Sequence, residues 1–124
     1  MGKKGFRELI VWQRAKDLAV DIYKVTSDGR LNRDFGLRDQ IRRSAVSIAS
    51  NLAEGDERDT DKESIRFFYI AKGSLAELIT QIEIAYEIGY LEKQTHERIG
   101  IECDVLGKMI GKLIKVRKGI KVGE

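Results

Sequence analysis

Residues 61–90, DKESIRFFYIAKGSLAELITQIEIAYEIGY, carry the longest apolar pattern of the chain and decide its fold class. Apolar residues recur there three and four positions apart, which is the spacing of one face of an α-helix and does not fit a β-strand. The residues of this stripe are Ile65, Phe68, Leu75, Ile79, Ile82 and Tyr86. We therefore predict one helix near 61–90 that turns this stripe toward a core.

The same helix is apolar over an arc roughly 200° wide, which exceeds what a single small bundle needs from one helix. Two interpretations follow: this helix is the most buried one, or its second stripe contacts another subunit. We favour the second interpretation and predict an oligomer interface. Its residues are Phe67, Ile70, Leu78 and Ile88.

Three other stretches repeat the helical spacing. Their apolar residues are Val11, Ala15, Leu18, Ile22 and Val25 in the first, Leu37, Ile41, Ala45, Ile48 and Leu52 in the second, and Ile99, Cys103, Leu106, Ile110 and Leu113 in the last. Gly29 and Gly55 suit helix C-terminal caps, Gly89 breaks the third pattern, and Thr60 with Glu63 has capping-box spacing. Short gaps favour antiparallel neighbours. The prediction is an all-α fold, an up-down-up-down antiparallel four-helix bundle.

The whole chain, 1–124, is predicted to form one such domain, with helices near 8–27, 36–54, 61–90 and 95–118 and flexible tails. A content of 42% hydrophobic residues excludes a disordered chain. No apolar run approaches the roughly 18 residues that cross a bilayer, and no signal region follows Met1, so a cytoplasmic protein without membrane partners is expected.

Enzymatic chemistry is not expected from this sequence. One cysteine and one histidine exclude an internal disulfide and a Cys/His zinc site. No nucleophile–base pair, phosphate-binding loop or metal-ligand constellation is visible. We therefore predict no catalytic residues, no metal and no cofactor.

The two ends of the chain are basic. Residues 1–16 have a net charge of +4, residues 107–124 have +5, and the stretch between them has −6. In an up-down bundle both basic ends lie at the same end of the molecule. They form a predicted nucleic-acid-binding set: Lys3, Lys4, Arg7, Arg14, Lys16, Lys112, Lys115, Arg117, Lys118 and Lys121. The alternative is that these cations neutralise the acidic connection 54–63, whose net charge is −4.

Smaller clusters leave similar alternatives. The arginines Arg38, Arg42 and Arg43 suit phosphate contact, but pairing with Asp39, four residues before Arg43, is favoured. Trp12 suits base stacking, but packing beside the first core stripe is favoured. A structural role is favoured for the remaining polar cluster: Asn51 bonded to nearby backbone, Glu54 paired with an arginine, and Gly55 as the cap of the second helix.

Five segments in order resemble one protein family. They are 6–13 (FRELIVWQ), 36–48 (GLRDQIRRSAVSI), 50–55 (SNLAEG), 73–78 (GSLAEL) and 88–91 (IGYL). Together they resemble the four-helix-bundle proteins named for 23S rRNA intervening sequences. The chain departs from the family at Ala49 and near 28–30, where members usually carry prolines, and the first departure removes an expected kink from the second helix.

The resemblance implies a bacterial homo-oligomer, with bundles assembled into five-membered rings and no established enzymatic activity. A distantly similar bundle accompanies the reverse transcriptase of diversity-generating retroelements and binds nucleic acid. The leading hypothesis is therefore a non-enzymatic pentamer that binds RNA or DNA through its clustered basic termini. The alternative is a structural or adaptor ring that binds a protein partner.

Overall fold

A computed structural model of the chain describes residues 5–120. Within this range every regular element is helical. A 3-10 turn at Phe6–Glu8 precedes α1 (Ile10–Val25), α2 (Gly29–Arg33), α3 (Phe35–Asp56), α4 (Asp61–Glu87) and α5 (Lys93–Arg117). The all-α prediction is confirmed. The short helix α2 was not expected, because five residues are too few to show a helical period.

The four long helices lie alongside one another, and side-chain bonds join each to its neighbours. Between α3 and α4, Ser47 bonds Ser74 and Gly55 bonds Ser64. Between α1 and α5, Arg14 bonds Glu102 and Arg98 bonds Asp21. Tyr69 bonds Lys118 where α5 ends beside α4, and Glu83 bonds His96 at the other end of the same two helices. Along each pair of helices one number rises while the other falls, as antiparallel packing requires. The start of α1, the α3–α4 connection and the end of α5 therefore share one end of the molecule, which we call the tail end.

The core stripe of α4 differs from the predicted one. Leu78 is fully buried in the core, whereas Ile79 is 45% exposed. The buried positions step through Phe68, Ala71, Leu75, Leu78, Ile82 and Ala85. Small residues on this line allow close approach to α3. Because α4 is apolar over so wide an arc, its sequence permits either register, and only packing against the other helices selects one.

Gly55 packs the tail end of the core and is not a cap. The residue lies inside α3, which continues to Asp56, and a Cβ atom added to it would lie 2.6 Å from the Phe68 ring. The Ser64 hydroxyl donates to the Gly55 carbonyl over 2.6 Å. The close contact between α3 and the ring of Phe68 therefore requires glycine at this position.

Both ends of α4 follow the local chemistry of the sequence. The Thr60 side chain accepts a hydrogen bond from the Glu63 amide, which confirms the predicted N-terminal cap. At the other end, Gly89 has a φ of 86°, and the Tyr90 amide donates to the Ala85 carbonyl. This bond pattern is a Schellman C-terminus and turns the chain back toward α5.

Candidate nucleic-acid interface

The predicted cations Arg7, Arg14 and Lys16 contact other residues of the chain. Arg14 donates to both carboxylate oxygens of Glu102, at 3.0 and 2.9 Å, and this hydrogen bonding, followed by the charge attraction, raises the pKa of Arg14. The ammonium of Lys16 lies 2.9 Å from Asp17. The Arg7 guanidinium stacks over the Phe6 ring. Lys3, Lys4 and Lys121 lie outside the described residues.

Arg117 has a structural environment. Its Nη2 lies 2.9 Å from Asp56 Oδ1, with the two side chains only 20% and 3% exposed. The guanidinium also stacks over the ring of Phe68. Arg117, a predicted nucleic-acid contact, therefore lies in a largely buried ion pair. This is what the alternative predicted, in which basic residues near the chain ends neutralise the acidic connection 54–63.

The other predicted lysines of α5 are exposed. Lys112, Lys115 and Lys118 lie on the outside of the helix, and Lys108 precedes them by one turn. Lys108, Lys112 and Lys115 form no ion pair with any residue of the described range 5–120. These ammonium groups are therefore available to solvent and to a polyanion.

Lys118 brings an aromatic residue of α4 into this basic region. Its ammonium donates to the Tyr69 hydroxyl over 2.8 Å and lies 5.1 Å from the ring centroid, and Tyr69 is 45% exposed. The bond from Lys118 lowers the pKa of Tyr69, and the charges of Lys118 and Lys72 lower it further. Lys72 therefore lies close enough to act on the same phenol.

We call this region the lysine–tyrosine surface. Its residues are Tyr69 and Lys72 of α4 with Lys108, Lys112, Lys115 and Lys118. Lysines neutralise phosphates as point charges, and an exposed aromatic ring stacks on an unpaired base. Such a surface is suited to a single-stranded nucleic acid bound with little readout of base edges.

The α4 residues of this surface were not predicted from the sequence. Arg66, Tyr69 and Lys72 are spaced three residues apart, which places them along one side of a helix and is the only signal for it in the sequence. This side of α4 lies beside the lysines of α5 only because of the register between the two helices. The bond between Lys118 and Tyr69 reveals this register, and no local pattern does.

The predicted oligomer residues divide into three groups. Leu78 is buried in the core of its own chain, so its assignment to an interface was wrong. Phe67 is half-buried beneath the guanidinium of Arg58, 4.5 Å from its centroid. Ile70 and Ile88 are 43% and 49% exposed, and Ile84, at 46%, lies on the same side of α4.

The smaller clusters have mostly structural contacts. Arg42 donates to the Thr26 hydroxyl at 2.8 Å, and Asn51 donates to the Ser47 carbonyl at 2.9 Å. Asp39 pairs with its neighbour Arg38 and not with Arg43, which corrects the expected pairing. In the remaining contacts, Trp12 packs edge-on against Phe6 and Glu54 pairs with Arg58.

The groups with the most reactive side-chain chemistry are Cys103 and His96. Burial, with smaller contributions from Glu102 and Asp104, raises the pKa of Cys103 to about 11, so the thiol stays protonated at neutral pH. His96 lies 2.9 Å from Glu83 and stacks on Tyr86. Among residues 5–120, no three His, Cys, Asp or Glu side chains are grouped to hold a metal ion. No helix of this range has the length and apolar content to cross a membrane.

Comparisons with known proteins agree with this architecture. A solved structure with similar fold is that of a protein of unknown function from the S23 ribosomal protein family of Bacteroides thetaiotaomicron VPI-5482. The two chains are 24% identical with a TM-score of 0.79, and the match covers 86% of this chain and 99% of the other. A search of curated proteins found no match. The sequence model of the 23S rRNA-intervening sequence protein matches residues 7–112. The chain therefore belongs to the 23S rRNA-intervening sequence protein family.

Proposed function

We propose that this protein is a non-enzymatic, self-associating helical bundle that binds RNA or DNA through the lysine–tyrosine surface. The observation that carries the proposal is the contact of Lys118 with Tyr69, which joins the exposed lysines of α5 to an exposed ring on α4. The proposal narrows the predicted binding set. Arg14 and Arg117 stabilise the fold, while Lys115 and Lys118 contact phosphates.

Affinity comes mainly from the release of counterions when lysines neutralise phosphates. One copy offers few such contacts, and the acidic α3–α4 connection lies at the same end of the molecule. Self-association repeats the surface and allows one strand to touch several copies, which raises the overall affinity. The family resemblance suggests five copies in the cytoplasm of a bacterium.

Fluorescence anisotropy with labelled single-stranded RNA and DNA of about 20 nucleotides tests the proposal. The variant Lys72→Gln/Lys115→Gln/Lys118→Gln loses three cations of the surface. We expect affinity to fall at least about tenfold, and the slope of log affinity against log salt to decrease by about 2. The loss is similar for different sequences, because phosphate contacts carry no sequence information.

The matched control is Lys24→Gln/Arg33→Gln/Lys93→Gln, which removes the same charge from exposed positions far from the tail end. We expect this control to bind nearly as tightly as the wild type. Equal losses in the two variants would show that only net charge matters and would contradict a localised surface. A wild type that binds neither RNA nor DNA at about 50 mM salt would contradict the nucleic-acid function.

The second candidate function is a ring that binds a protein partner. The observation that favours it is an acid-rimmed cavity of about 500 Å³ between α4 and α5, where Ile79 is 45% and Ile101 is 67% exposed. Glu83, Glu97 and Asp104 surround these isoleucines. This function takes the place of the first if the binding experiment is negative.

A further inference from the structure

A groove between α1 and α3 is lined almost wholly by apolar and small residues. Its volume is about 520 Å³. Ala19, Ala49 and Ala53 form its floor, and Val20, Tyr23 and Val46, which are 47%, 45% and 41% exposed, form its walls. We call it the α1/α3 groove. A floor of alanines allows the backbone of another helix to approach closely, and exposed apolar walls gain stability when such a helix covers them.

A second unpartnered surface lies on α4, about 60–100° around the helix from Tyr69. It consists of Ile70, Glu77, Ile84 and Ile88, and we call it the α4 outer stripe. The first three residues follow a seven-residue step, which keeps them on one line of a helix. All three isoleucines are between 43% and 49% exposed. The stripe therefore has the form of a helix face that packs against an apolar groove.

The charges of the two surfaces are complementary. Lys16 is the one charged residue among the described residues that line the groove, and it lies between the levels of Trp12 and Tyr23. Glu77 is the one charged residue of the stripe, about 10 Å along the axis from Ile70 and from Ile84. A helix laid along α1 with Glu77 opposite Lys16 thus places one isoleucine at the level of Tyr23 and the other about 4 Å beyond the level of Trp12, at the opposite end of the groove.

We propose that the α4 outer stripe of one copy docks in the α1/α3 groove of a second copy, with Glu77 facing Lys16. Lys16 then exchanges its contact with the neighbouring Asp17 for the carboxylate of the other subunit. The inference rests on the self-association included in the proposed function and names its two surfaces. Because the surfaces differ, the contact is head-to-tail, and each added copy leaves a groove and a stripe free for a ring to close.

Two variants test this contact by blocking one surface each. Val46→Asp places a carboxylate in the groove wall, and Ile84→Asp places one on the stripe. Both positions are exposed, so neither carboxylate enters the core, and circular dichroism verifies the helical fold. In light scattering each variant alone is expected at the monomer mass of 14.1 kDa. Ile101→Asp, at an exposed isoleucine outside both surfaces, is the control and keeps the wild-type mass.

Mixing the two blocked variants gives the decisive result. The intact stripe of Val46→Asp fits the intact groove of Ile84→Asp, whereas the two remaining surfaces are blocked. We expect a one-to-one complex of twice 14.1 kDa that grows no further. A mixture that stays monomeric, or an Ile84→Asp protein that assembles like the wild type, would overturn the head-to-tail contact.

A charge exchange tests the pairing of Lys16 with Glu77 without changing any apolar residue. Lys16→Glu and Glu77→Lys are each expected to weaken assembly at least about tenfold, and the double variant is expected to restore it. Two single variants without effect, or a double variant weaker than both, would overturn the pairing.

Nucleic-acid binding separates failure of this inference from failure of the proposed function. The blocked monomers keep the lysine–tyrosine surface, so they are expected to bind a short oligonucleotide of one site as the wild type does. If Val46→Asp and Ile84→Asp both assemble as the wild type does, the docking contact is overturned and the proposed function is not. A wild type at 14.1 kDa at micromolar concentration overturns self-association as well as the contact.

Discussion

The two ends of the surface formed by α4 and α5 differ in the sign of their charge. At the tail end, Tyr69 contacts Lys118 and lies near Lys72. At the other end, Tyr86 stacks on His96, which lies beside Glu83. Each end therefore has one tyrosine next to a basic side chain, but Lys72 adds to the positive charge at the tail end, whereas Glu83 and Glu87 add negative charge at the other end.

This difference shows why the net charge of +3 is a poor guide to binding. The lysines near Tyr69 and the glutamates near Tyr86 cancel in the sum, but they lie about 25 Å apart along α4. Their separation exceeds the screening length of about 8 Å at physiological salt, so a polyanion at the tail end is little affected by the acidic end. The cations at the tail end also differ from one another: Arg117 lies in a largely buried ion pair, whereas Lys115 is exposed.

The largest expected effect is a difference in the free energy of unfolding between variants of two neighbouring cations at the tail end, Arg117 and Lys118. Arg117→Met removes one partner of a largely buried ion pair with Asp56, so we expect the free energy of unfolding to fall by about 3 kcal/mol. Lys118→Met removes an exposed cation and is expected to cost under about 0.5 kcal/mol. Urea denaturation followed by circular dichroism measures both. Equal losses in the two variants would contradict a structural role particular to Arg117.

The next effect compares the two tyrosines. Tyr69→Leu removes the exposed ring of the lysine–tyrosine surface, and we expect affinity for single-stranded RNA to fall roughly tenfold through lost base stacking. Tyr86→Leu makes the same change at the acidic end and is expected to leave affinity within about twofold of the wild type. Anisotropy titrations at one salt concentration provide the comparison. A larger loss of affinity in Tyr86→Leu than in Tyr69→Leu would indicate that the nucleic acid binds at the acidic end and would contradict the lysine–tyrosine surface.

The architecture could be predicted from local spacing, and the site only in part. Steps of four and three residues along the chain indicate α1, α3, α4 and α5, because each helix must bury one face. The same rule assigned Ile79 to the core and Leu78 to an interface, and both assignments were wrong, since both residues lie within the wide apolar arc of α4. Two chain-distant groups, such as Tyr69 and Lys118, meet only once the register between helices is set.

A smaller effect reports directly on the contact between Tyr69 and Lys118. The hydrogen bond from Lys118 lowers the pKa of Tyr69 below its ordinary value of 10.0. In Lys118→Met the bond and one positive charge are lost, so we expect the tyrosine to ionise at higher pH. Ultraviolet absorbance near 295 nm, with Tyr69→Phe used to assign the signal, follows this titration. An unchanged titration in Lys118→Met would show that the two groups do not meet in solution.

The smallest effect lies at the acidic end, in the pair Glu83 and Glu87. A hydrogen bond with Glu83, followed by its negative charge, raises the pKa of Glu87 above its ordinary 4.5, while the contact with His96 and then that with Glu87 lower the pKa of Glu83. The stabilisation due to Glu87 is therefore present below pH 4.5 and is lost as the pH rises through its folded value. The contribution of Glu83 has the opposite sign and is lost as the pH falls through its lowered pKa.

Glu87→Gln keeps a hydrogen-bond donor for Glu83 without the second negative charge. We therefore expect this variant to be more stable than the wild type at pH 7, by a margin that shrinks toward pH 4.5. Urea denaturation across this range measures the margin, and a margin that grows as the pH falls would contradict the interaction between Glu83 and Glu87.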